Sequence, residues 1–119
     1  MKRRRSPVGD RPLRELDALV DALRRNRDTI DRIIERADVI RTKRLEQGLD
    51  YHEIIRLEDR PLIVELLTEN QHRLVEAGSR WRRAEAVALR EEGLTLDDIA
   101  SLFGVTRQRA SQLVHDKRP

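Results

Sequence analysis

The residues best suited to chemistry lie close together near the carboxy terminus: Arg107, Gln108, Arg109, Ser111 and Gln112. They form neither a nucleophile–base pair nor a set of metal ligands. Arginine presents a planar fork that fits guanine O6 and N7, and glutamine a donor–acceptor pair that fits adenine N6 and N7. At helical spacing Arg107, Gln108, Ser111 and Gln112 share one outward face, with Arg109 to one side, and a helix end of this size enters a major groove. The chemistry on offer is recognition. An ordinary polar surface would use the same residues, so the decision falls to the positions around them, which must build a scaffold that aims the face.

Those positions do build one. Residues 94–114 read as two short helices joined by a tight turn. Thr95 caps the first helix, and Asp98 in its first turn favours the positive helix end. Ile99, Leu102 and Phe103 are expected on that helix's apolar face. Gly104 stands where the chain must turn with positive φ. Thr106 caps the second helix, and Ala110, Leu113 and Val114 line its inner side. Ala100 is small where the two helices cross. The spacing of Ile99, Ala100, Phe103, Gly104, Val105, Ala110 and Leu113 meets the steric needs of a helix-turn-helix.

The stretch 94–114 resembles the region-4 helix-turn-helix of bacterial sigma factors, which recognises an upstream promoter element. The run Gly104-Val105-Thr106-Arg107-Gln108-Arg109, followed by Gln112, carries the resemblance. In that family an Arg-Glu-Arg run and a downstream Gln contact DNA. The resemblance therefore implies DNA contacts for Arg107, Gln108, Arg109 and Gln112. Gln108 replaces the family's usual Glu, and Ser111 stands where Arg is common, which implies a different preferred sequence. A preceding scaffold helix is expected over residues 82–92, with Arg82 and Arg83 against phosphates. The expected DNA-facing set is thus Thr106, Arg107, Gln108, Arg109, Ser111 and Gln112, together with Arg82 and Arg83. Nothing resembles the other promoter-binding regions of sigma factors. The chain as a whole resembles small actinobacterial-type helix-turn-helix proteins.

The rest of the chain must support this module. Only 38% of the residues are hydrophobic and 39% are charged, which fits either disorder or long surface helices with apolar stripes. Periodicity decides for helices, and with no strand-like alternation the fold is expected to be all-α. Residues 1–9 read as a basic arm: either a solvated tail or a strand of charge lying along phosphates. Residues 10–48 read as one long helix, opened by Asp10 and Pro12 and closed by Gly48. One heptad column holds Leu16, Leu23, Ile30 and Ala37, and its companion holds Leu19, Asn26, Ile33 and Ile40, with Val20 and Ile34 widening the stripe. At ~50 Å such a helix is longer than a small domain covers. Two outcomes stay open: pairing between chains through Leu16, Leu23, Ile30, Ile33, Ala37 and Ile40, or packing against the chain's own later helices. Asn26 in the core column either fixes register or marks a turn.

Residues 49–78 read as a middle helical segment and 79–119 as the DNA-binding domain. Asp50 and Glu53 open a short helix over 51–57, and Asp59 and Pro61 another over 61–77. Gly78-Ser79 favours a break there, although Ile63, Leu67, Leu74, Trp81, Ala84 and Ala88 keep one continuous phase. Trp81 reads as a core anchor.

Other chemistry is excluded residue by residue. There is no cysteine, so no disulfide or thiolate metal site. His52, His72 and His115 lack partners at metal-ligand spacing, so neither metal nor cofactor is expected. No glycine-rich phosphate loop and no catalytic constellation is present, and the chain is read as a non-enzyme. No apolar run approaches the ~20 residues of a membrane span, and no apolar core follows Met1-Lys2-Arg3-Arg4-Arg5. The expected place is the cytoplasm, on the nucleoid.

These observations point to a sequence-specific double-stranded DNA-binding regulator of transcription, paired as a homodimer. Two alternatives remain at this level: an adaptor that touches RNA polymerase or a sigma factor, and a nucleoid-associated protein that coats DNA. The arm supplies an early test. If Lys2, Arg3, Arg4 and Arg5 neutralise phosphates, deleting them should weaken binding to all duplexes alike. It should also flatten the salt dependence by up to ~0.9 per lost contact in a log–log plot. An unchanged slope would return the arm to a solvated tail.

Overall fold

The computed structural model describes residues 10–115. The basic arm at 1–9 and its expected phosphate contacts lie outside them. The described residues form helices and connections only, as expected: α1 (Arg11–Leu45), α2 (Tyr51–Leu57), α3 (Ile63–Glu91), α4 (Leu96–Phe103) and α5 (Arg107–His115).

Local chemistry explains where each helix starts and stops. The Asp10 carboxylate accepts the Leu13 N–H at 3.1 Å and opens α1. Past Leu45, Gly48 adopts φ +67°, and the Leu49 N–H closes on the Lys43 carbonyl at 3.2 Å. Asp50 accepts the Glu53 N–H at 2.8 Å and opens α2 where the capping pattern placed it. The Arg44 guanidinium covers the Tyr51 ring at 4.7 Å. Glu65 reaches back to the Leu62 N–H at 3.1 Å at the entry of α3.

α3 differs from the favoured sequence reading. It runs through Gly78 and Ser79 without a break. An interior glycine costs a helix about 1 kcal/mol relative to alanine, too little to end one whose apolar phase continues on both sides. Ser79 is accordingly an interior residue and not a cap. Trp81 is half-buried rather than a deep anchor.

The described chain divides into two compact units: Ala22–Val75, and the stretch up to Asp21 together with everything from Glu76 on. In the first, α1 and α3 run antiparallel and are tied by a polar layer. The Asn26 amide donates to the Asn70 carbonyl at 3.0 Å. Arg73 donates to the Asn26 Oδ1 at 2.9 Å and to the Thr29 hydroxyl at 3.5 Å, and pairs with Glu69 at 3.2 Å. At the end of the hairpin Arg36 pairs with Glu58 at 3.1 Å and donates to the carbonyls of Asp59 and Pro61. Glu58 also accepts the Ile63 N–H, so its carboxylate caps α3 while holding Arg36. Ile54 and Leu66 fill the apolar remainder.

Asn26 therefore makes no turn; it is buried, and its amide is spent inside the chain. Asn26→Leu should strip the Arg73 guanidinium and the Asn70 carbonyl of a buried partner. The expected loss is ~1–3 kcal/mol in urea unfolding of the full chain, despite the added apolar surface. An unchanged midpoint would mean that water replaces the amide without cost.

The long stripe on α1 is divided. Ala22, Asn26 and Thr29 are its buried residues, and Leu19, Ile33 and Ile40 are half-buried. Leu16, Leu23, Ile30 and Ala37 stay exposed, as do Val20 and Ile34.

Candidate nucleic-acid interface

The last two helices sit on a small apolar core. Ala86 of α3, Ile99 and Ala100 of α4, and Ala110 and Leu113 of α5 are buried together. Leu89, Leu94, Phe103, Val105 and Val114 pack around them. The alanines let the three helices approach closely, and Ile99 and Leu113 fill the space between them.

Two glycines shape the connections by one device. At each helix end the residue after the glycine bonds back five residues and the glycine bonds back three: Leu94 to Leu89 and Gly93 to Arg90, then Val105 to Ala100 and Gly104 to Ser101. This double closure needs a left-handed residue, and Gly93 and Gly104 have φ +104° and +65°. The turn of the helix-turn-helix is thus the exit of α4.

Caps fix the entries. The Thr95 hydroxyl accepts the Asp98 N–H at 3.1 Å, and Asp98 accepts the Thr95 N–H at 2.9 Å. The Thr106 hydroxyl accepts the Arg109 N–H at 3.0 Å, so Thr106 caps α5. The Thr95 backbone N–H, and then its hydroxyl, hold the Asp98 carboxyl below the usual carboxylate range. A carboxyl whose folded pKa is depressed adds stability that is present above its unfolded pKa and lost as pH falls through the folded value. Wild type should therefore lose its thermal advantage over Asp98→Asn as the pH drops below about 4. A constant difference down to about pH 2 would assign the cap's strength to the uncharged hydrogen bonds alone.

The outward face of α5 carries the expected set. With Ala110 and Leu113 turned inward, Gln108 lies near the centre of the opposite face, flanked by Ser111 and Gln112, with Arg107 and Arg109 at the edges. Arg107, Gln108, Arg109 and Gln112 are exposed, and Ser111 is half-buried. Arg107 leans to Asp97 of α4 at 3.7 Å, an exposed pair of the kind that contributes little and yields to a stronger partner. Arg109 donates to Gln112 at 3.4 Å.

His115 was missed in the sequence reading. It lies on the same face one turn beyond Ser111, 3.2 Å from the Ser111 hydroxyl, and its spacing of four from Ser111 was the available signal. On the preceding helix, α3, Arg82 is exposed and Arg83 half-buried.

One residue of the expected core is elsewhere. Leu102 is 65% exposed. Ile99, Ala100 and Phe103 centre the buried side of α4, and a residue at 100° per step puts Leu102 beyond its edge. Phe103 is itself only half-buried and lies against the core rather than within it.

Three packed helices, a glycine turn and a capped, outward-facing last helix are the parts of a DNA-binding helix-turn-helix. Residues 77–117 match the family model of the homeodomain-like domain. The match takes in the later half of α3 with α4 and α5, so the carboxy-terminal part of the chain is a helix-turn-helix domain of DNA-binding type. No curated protein and no solved structure matches the chain. Among the described residues no cluster of side chains is arranged to hold a metal ion, and no helix is long and apolar enough to cross a membrane.

Proposed function

We propose that the protein is a sequence-specific double-stranded DNA-binding regulator of transcription, without enzymatic activity, that works as a homodimer. The observation that carries the reading is the α5 face. Arg107, Gln108 and Gln112 project from a helix whose opposite side is locked by Ala110 and Leu113, so groups suited to base edges are held on a rigid support. Arg107, Gln108, Arg109, Ser111 and Gln112 read bases, Thr106 sets the helix end that approaches the backbone, and Arg82 and Arg83 meet phosphates. The run from Gly104 to Arg109 with Gln112 resembles the recognition helix of sigma region 4, which favours promoter-proximal sites. Pairing of two chains through α1 gives the dimer two recognition helices. The exposed column of Leu16, Leu23, Ile30 and Ala37 supports that pairing, whereas Ile33 and Ile40 are half-covered within the chain.

Selection from a random duplex pool tests the proposal, followed by affinity on the selected and a scrambled duplex across a range of salt. A regulator gives a short consensus and a preference of ~10³-fold or more. Equal affinity for both duplexes, with a steep salt slope, would make the protein a DNA-coating one. No binding at low salt would leave the adaptor role on RNA polymerase or a sigma factor.

A further inference from the structure

The hairpin within Ala22–Val75 leaves an apolar face uncovered. The bonds from Asn26 to Asn70 and from Arg36 to Pro61 set the register of its antiparallel helices: each step up α1 matches a step back along α3. Leu23 then lies level with Leu74, Arg27 with Gln71, Ile30 with Leu67, and Ile34 with Val64. Each of these α1 residues follows directly on a residue of the packed seam (Ala22, Asn26, Thr29, Ile33), and so does each α3 residue (Ile63, Leu66, Asn70, Arg73). One residue is about a quarter turn. On antiparallel helices the same offset brings both stripes to the same side. Leu23, Ile30, Ile34, Val64, Leu67 and Leu74 are each between 45% and 56% exposed. Together they leave on the order of 500 Å² of apolar surface, at the upper end of what one patch on a monomer shows.

We propose that this face docks on the same face of a second copy, with α1 of each chain lying over α3 of the other in a four-helix bundle. The proposal rests on the homodimer reading and names the surface it uses. Two such faces would remove about 1,000 Å² of apolar surface, the least that a specific interface buries. The 3-4 spacing of both stripes suits the shallow packing of bundles.

Arg27 decides which helices meet. It is the charge in this face, and stacking α1 on α1 would press two guanidiniums together away from water. Placing α1 over α3 instead sets Arg27 beside Gln71 of the other chain, whose amide oxygen accepts its N–H. With the two-fold axis along the bundle, each residue of α1 keeps its level and meets α3 of the other chain, so every contact of the face is made twice.

The test is sedimentation equilibrium of the full chain at micromolar concentration without DNA, with circular dichroism as the control for folding. Wild type should sediment at twice the chain mass. Leu67→Asp and Ile30→Asp should each weaken the dimer about tenfold or more, with helix content kept because both side chains are half-exposed in the single chain. Gln71→Lys should weaken it as well, and Gln71→Glu should not. A monomeric wild type overturns both this proposal and the homodimer reading. A dimer that survives Leu67→Asp but not Ile30→Asp overturns the bundle alone and leaves two-stranded pairing through α1. A dimer indifferent to Gln71→Lys overturns the placement of α1 over α3.

Discussion

Leu113→Ala should destabilise the helix-turn-helix by ~2–5 kcal/mol. The side chain is 1% exposed, and it stands with Ile99 among alanines that cannot move in to fill its place. Truncation removes buried methyl groups and leaves a cavity in a core too small to share the loss. With a domain stability of only ~5–15 kcal/mol, this is enough to populate the unfolded module at moderate temperature. Ile99→Ala should behave alike. Phe103→Ala should cost less than either, although the ring is larger, because Phe103 is half-buried and its removal opens a groove to water rather than a void. Urea unfolding followed by circular dichroism gives the ranking. A larger loss at Phe103 than at Leu113 would mean that the ring, not the leucine, holds α4 against α5.

Arg107→Ala and Gln112→Ala should do the opposite: leave stability alone and collapse the preference for the selected duplex. Both residues are exposed, and their bonds to Asp97 and Arg109 are long and solvated. Losing one bidentate base contact costs ~1–3 kcal/mol, between about fivefold and 150-fold in affinity, at one base pair. Arg82→Ala should instead weaken selected and scrambled duplexes equally, as the loss of a phosphate contact does. The ratio of the two affinities separates these behaviours. If Arg107→Ala and Gln112→Ala both keep the wild-type ratio, α5 does not read bases and the adaptor role takes over.

The carboxy-terminal module was legible because its constraints are local. A capping Thr three residues before an acid, a glycine at a helix exit and alanines at a close crossing each act within a turn or two of their position. Thr95, Gly104, Ala100 and Ala110 were therefore readable one at a time, and the structure agrees at each. Leu102 was misplaced because a helix of 8 residues offers too few turns for periodicity to mark the edge of its apolar face. His115 was overlooked because a histidine is weighed first as a metal ligand, and its spacing of four from Ser111 marks a place on the face rather than a ligand set.

By itself the sequence determined the all-helical class, the caps at Asp50, Thr95 and Thr106, the outward polar face of α5 and the presence of a heptad stripe, whereas α3 runs on through the break favoured at Gly78-Ser79 because its apolar phase continues on both sides. Tertiary structure alone decided how that stripe is shared. Two heptad columns lie a few tens of degrees apart on α1, one wholly apolar and one apolar but for Asn26, and periodicity cannot say which one the chain keeps for itself. The choice falls to long-range partners. Asn70 and Arg73 satisfy Asn26, and Glu58 holds Arg36, so α1 turns its Ala22–Asn26–Thr29 side inward. Buried polar groups must find partners, whereas leucine and isoleucine can wait for any apolar surface. That asymmetry, visible only once residues 44 to 47 positions apart meet, orients the helix and leaves Leu23 and Ile30 facing out.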